Sequence, residues 1–162
     1  MQNDTRLLLA SISSVSITDP RAYIYAIHSI CNQKKVIYIG QTNQRNGSLG
    51  RLSEHLSNGE SATFRQRSMD VTGYEPSGNL EFASFVLPPE RAFQSEAKDY
   101  REAVEYLVDY GLREFIVNNN LGVLGIARIK KPSYINDKRV QEISFIAISK
   151  FSSWLTGCIR SK

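Results

Sequence analysis

A chain of 162 residues that is 41% hydrophobic and 22% charged is long enough for one domain with a real core and has ordinary globular composition. Its formal net charge of +4 suits a polyanionic partner without demanding one. No apolar stretch approaches the ~20 residues of a bilayer span. The N-terminal apolar run is too short and too acidic for a secretory leader. The two cysteines, Cys31 and Cys158, are far apart, without metal-ligand spacing, and read as free buried thiols, so a disulfide scaffold is excluded, no zinc-type cluster is read from the sequence, and a soluble, cytoplasmic protein rather than a membrane protein is expected.

In chain order, residues 1–21 form an N-terminal extension, with the apolar run Leu7–Ala10 and a boundary at Asp19-Pro20. Residues 22–28 and 35–39 are β-rich and joined by the polar stretch Ser29–Lys34, which predicts an antiparallel hairpin with a loop longer than the tightest type. Alternation puts Tyr23, Tyr25 and Ile27 on one face and Ile24, Ala26 and His28 on the other; in the second strand Val36, Tyr38 and Gly40 share a face. After a loop with the Asn46-Gly47 turn signal, Ser48 can cap a helix whose core stripe is Leu49, Leu52 and Leu56. Arg51 and His55 sit one turn apart beside that stripe.

Residues 60–79 read as a short helical segment carrying Arg65 and Arg67, then a surface loop. Residues 80–87 form a third strand, stopped by Pro88-Pro89. A helix is predicted from about Glu90 to Tyr110, with Gly111 as its stop signal. Beyond it, LGVLGIARI is strand or packed loop, and 138–159 is a last helix, apolar on more than one side, that wants burial on its own domain or in a homodimer. Residues 121–162 are therefore a C-terminal extension. The architecture implied is α/β, with a small, largely antiparallel three-stranded sheet flanked by helices.

The pair Tyr23-Ile24-Tyr25 and Tyr38-Ile39-Gly40, followed by Arg51 and His55 on the next helix, resembles the GIY-YIG nuclease family over about residues 22–120. Tyr23 stands where the first motif has its glycine; the second motif matches to the letter. The resemblance implies a metal-dependent endonuclease that hydrolyses DNA, of restriction, phage or repair type. Its alternative is an inactive nucleic-acid-binding or regulatory module with the same fold. It assigns Tyr25 as general base, Tyr38 to the lining of the site, Gly40 to its support, Arg51 to the phosphate, and His55 to relaying a proton or holding the water. A phenol of pKa ~10 needs a cation to act as a base at neutral pH. Lys35 of the hairpin is the candidate, with Lys34 the alternative.

The resemblance also calls for one metal-binding glutamate on the long helix. With Val104 taken as the centre of the apolar stripe, Glu105 lies ~100° away and Glu102 ~160°. Glu105 is chosen, Glu102 is the runner-up, and Glu96 is further from the closing asparagine. That asparagine, which supports the site, is Asn118, with Asn119 and Asn120 adjacent. One carboxylate completed by water and phosphate oxygens suits Mg²⁺ or Mn²⁺. Lys34, Arg45, Arg65 and Arg67 are the candidate DNA-binding cations. DNA is the expected partner.

Overall fold

The structure, a computed structural model, describes residues 14–160 apart from 58, 61 and 78, so the run Leu7–Ala10 falls outside the described residues. Its centre is a hairpin. β1 (Tyr23–Cys31) and β2 (Lys34–Thr42) pair antiparallel from Tyr23 opposite Thr42 to Cys31 opposite Lys34. Both strands outrun their β-rich centres, and the connection is the tightest kind. Asn32 and Gln33 lie at φ 44° and 68°, the positive pair that a two-residue type I′ turn requires. Ser29 looks like loop by composition. It is strand because β1 is paired on both sides there, opposite Val36 and Leu80, which gives its buried backbone groups partners.

β3 (Leu80–Val86) pairs antiparallel with the other side of β1, and a short β4 (Val123–Gly125) pairs parallel with β2. The sheet is therefore α/β in setting as expected, but four-stranded and mixed, in the order β3-β1-β2-β4. The fourth strand comes from the LGVLGIARI stretch. It is held by Arg113, which donates to the carbonyls of Gly125 (3.0 Å) and Ala127 (2.8 Å).

Among the described residues five α-helices accompany the sheet: α1 (Gly47–Leu56), α2 (Thr63–Thr72), α3 (Arg91–Gln94), α4 (Asp99–Asn118) and α5 (Lys138–Arg160). Strand alternation sorts the two cores. Ile24, Ala26, Ile37 and Ile39 pack with Val104, Val108 and Leu112 of α4 and with Val140, Ala147 and Phe151 of α5. Tyr25, Ile27, Val36 and Tyr38 face the other way, towards Leu52 of α1 and Phe64 of α2. Ser48 does not cap α1. It lies inside the helix, buried, and accepts from Ser84 Oγ at 2.6 Å.

The single helix expected over 90–110 is two. Residues 95–98 interrupt it, and their carbonyls at Ser95 and Ala97 accept from the buried guanidinium of Arg101 (2.5 and 3.3 Å). Gly111 is not a stop. α4 runs through it to Asn118, and a Cβ there would lie 2.5 Å from Ile148 Cδ1, so the glycine lets α5 approach. α5 itself begins where Asp137 Oδ1 accepts from the Val140 amide (3.0 Å), a side-chain N-cap. It packs on α4, β1 and β3. Phe151→Ala is expected to cost about 3–5 kcal/mol in denaturant melts, as for a fully buried aromatic. Trp154→Ala is expected to cost less, because Trp154 is only half-buried against Phe151.

Candidate active site

The hairpin register builds the site. Tyr25 lies directly opposite Gly40, and a Cβ on Gly40 would sit 2.2 Å from Tyr25 Oη. The second motif thus ends in glycine because the Tyr25 ring lies across that backbone. The ring is led to α1, where its hydroxyl meets His55 Nε2 at 2.6 Å. Tyr38, two pleats away on the same face, completes an aromatic group: its ring centroid is 5.0 Å from that of His55, 6.4 Å from Tyr25 and 6.2 Å from Phe64. Tyr25, Tyr38 and His55 are all buried.

The direction of the short Tyr25–His55 bond can be deduced. The amide of Phe64 donates to His55 Nδ1 at 3.1 Å. A backbone N–H can only donate, so Nδ1 carries the lone pair and the neutral ring carries its proton on Nε2. Burial, with Arg51 nearby, holds the His55 pKa down to about 4, so the ring is neutral at physiological pH. His55 therefore donates to Tyr25 Oη. It has no free lone pair with which to relay a proton, which corrects the role assigned to it from the motif. It is a positioning donor whose hydrogen bond favours the phenolate of Tyr25.

The same depression links His55 to stability. Unfolding restores the ordinary pKa near 6.5, so protons favour the unfolded chain. The contribution is complete above pH ~6.5 and is lost as pH falls towards 4. A change of that size corresponds to roughly 3 kcal/mol. Urea melts from pH 7 to pH 4 should lose about that much more in the wild type than in His55→Gln.

The cation beside Tyr25 is not the expected one. Lys35 pairs with Ile30, five positions along the hairpin from the Tyr25–Gly40 pair, or ~17 Å, and alternation turns it to the other face. Lys34, at the turn, is further still. Neither serves Tyr25. Burial and Tyr38 push the Tyr25 phenol up, and the charge and hydrogen bonding of Arg51 pull it down. Arg51 in turn is held by Glu54 (Nη1 to Oε2 2.5 Å), and Gln44 Nε2 donates to both Glu54 oxygens (2.9 and 3.0 Å). Glu54 and Gln44 carry no recognisable motif signal; only the i, i+3 spacing of Arg51 and Glu54 hints at their pairing.

Glu105 is half-buried on α4. Burial and the charges of Glu102 and Asp109 push its pKa up to about 8, and it acts in turn on both Tyr25 and Tyr38. Glu102 points elsewhere, into an ion pair with Lys98 (2.7 Å), and Glu96 is exposed between α3 and α4. A carboxylate that feels the like charges of Glu102 and Asp109 fits a hard divalent cation, which takes oxygen donors. Asn118 does not support this position: it ends α4 thirteen residues after Glu105, ~20 Å along the axis, and is exposed. Of the candidate DNA-binding cations, Arg67 acts on Tyr38, and Arg65 and Arg67 are paired with Glu75 and Asp70. Arg45 is exposed in the loop before α1, and Lys34 lies at the remote end of the hairpin. A surface hollow of about 880 Å³ lies along α1 and the Thr18 segment and is lined by none of the candidate site residues.

No helix among the described residues is long and apolar enough to cross a membrane. The comparisons with known proteins agree with the geometry of the hairpin and α1. Residues 21–99 match the family model described as the GIY-YIG catalytic domain, a span that holds Tyr25, Tyr38, Gly40, Arg51 and His55 and stops short of Glu105. No curated protein and no solved structure matches the chain. The paired strand motifs, the helix that follows them and this match together support the GIY-YIG nuclease family for the domain over residues 21–99.

Proposed function

We propose that the protein is a metal-dependent DNA endonuclease of restriction, phage or repair type. The observation that carries this is the arrangement around Tyr25 Oη, which accepts from a histidine locked as a donor and feels an adjacent guanidinium. Those two groups stabilise a phenolate, which is what a tyrosine general base requires. In this reading Tyr25 takes the proton of the attacking water. Arg51 neutralises the phosphate as charge develops, Tyr38 orders the water and the phosphate oxygens, and Glu105 holds Mg²⁺ or Mn²⁺. The cation, when bound, withdraws charge from the scissile phosphate. A phosphate that reaches Arg51 takes the place of Glu54 on its fork, a displacement that the planar guanidinium makes easy.

The alternative, a binding module without catalysis, is favoured by one observation: Tyr25 is only 1% exposed. Arg51→Ala separates the two. It removes one phosphate contact among several, so gel-shift affinity should change little and the salt slope should fall by about one. Cleavage should fall by ~10²–10³, because its charge matters most in the transition state. Equal losses in binding and cutting would argue that Arg51 only binds.

A further inference from the structure

We propose that His28, through Nε2, and Cys158 hold a second metal ion, of the zinc type, that fastens the end of α5 to the outer edge of the sheet, with Glu81 orienting the His28 ring through Nδ1. The three residues come from β1, β3 and α5. His28 and Glu81 are directly opposite each other in the antiparallel register, so their side chains rise from the same face of the sheet. That is the face shared with Ile24 and Ala26, away from Tyr25, so the site is separate from the nuclease residues. Cys158 lies near the end of α5, and one ligand atom from each of the three residues lies within 4.8 Å of the other two.

The second observation is an accounting one. His28 is wholly buried. Its Nδ1 meets Glu81 Oε2 at 2.6 Å, and its Nε2 has no hydrogen-bond partner among the described residues. A buried imidazole nitrogen left without a partner is costly, and such an exception in a native core calls for a cause. A cation supplies one. Metal-ligating histidines characteristically use one ring nitrogen for the ion and give the other to a carboxylate or carbonyl. Imidazole with thiolate selects a borderline cation such as Zn²⁺ over Mg²⁺, which keeps to oxygen donors. β3 is an edge strand and Glu81 is 28% exposed, so an ion has a way in and water can complete a four-coordinate shell. Neither cysteine of the chain is in a disulfide. The two ligands are 130 residues apart, from His28 to Cys158, which is why no spacing motif announces them.

This site stands whether or not the chain cuts DNA. Full-length protein made without a histidine tag and stripped with a chelator should be titrated with Co²⁺. The wild type should develop thiolate-to-cobalt charge-transfer absorption that saturates at one equivalent and is bleached by Zn²⁺. Zn²⁺ should also raise its thermal midpoint by several degrees. Cys158→Ser should lose the absorption and the shift, while Cys31→Ser should keep both. Glu81→Gln should weaken Co²⁺ binding at least tenfold, and it keeps the test usable should His28→Gln fail to fold. Absence of the charge-transfer band in the wild type, or its survival in Cys158→Ser, would overturn the proposal.

Discussion

Tyr25→Phe is expected to bind DNA like the wild type and to cut it at least ~10²–10⁴ times more slowly, the range for loss of a general base. The substitution keeps the ring that packs against Gly40 and Tyr38 and removes only the oxygen that His55 and Arg51 address. The pH profile carries the same information. Burial and Tyr38 raise the Tyr25 phenol above its ordinary range, with Arg51 the opposing influence, so its phenolate fraction grows about tenfold per pH unit through neutrality. The wild-type rate should climb into the alkaline range. An imidazole base would instead give a plateau above its own pKa. His55, held down to about 4 with Nδ1 engaged by the Phe64 amide, cannot produce the alkaline rise.

Glu105→Gln should give the opposite signs for activity and stability. Cleavage should vanish with every divalent ion, since the variant lacks the carboxylate assigned to the metal. The metal-free protein should nevertheless become more stable. Burial, Glu102 and Asp109 raise the Glu105 pKa to about 8, so the folded state favours the protonated form. Ionisation therefore costs nothing below the unfolded value near 4.3, costs progressively more as pH rises towards 8, and costs most above it. The gain from glutamine should accordingly grow between pH 5 and pH 8, on the order of 1–2 kcal/mol by pH 8. Mg²⁺ should raise the melting temperature of the wild type and leave Glu105→Gln unmoved. A variant that loses stability at every pH would show Glu105 to be a structural acid.

What the sequence made legible is what local pattern controls. Period-two alternation put Tyr25 and Tyr38 on one face, and the helical spacing of Arg51 and His55 turned both towards them. Long-range features were hidden. The fourth strand exists because Arg113 and the edge of β2 give residues 123–125 partners, which three residues cannot advertise. Gly111 looked like a helix end because a glycine chosen for close helix approach is the same letter as one chosen for a C-cap. Lys35 looked adjacent to Tyr25 under a long-loop hairpin; the tight turn at Asn32–Gln33 sets a register that carries it away. The donor role of His55 depends on an amide nine residues further on, at the start of α2, and no spacing rule contains it.

The most direct measurement of the central claim is the fate of supercoiled plasmid incubated with the purified protein. With Mg²⁺ or Mn²⁺ the account predicts conversion to nicked or linear forms, abolished by EDTA and absent in Glu105→Gln. Plasmid that is bound yet stays supercoiled with every divalent ion would contradict it and leave a DNA-binding module in its place.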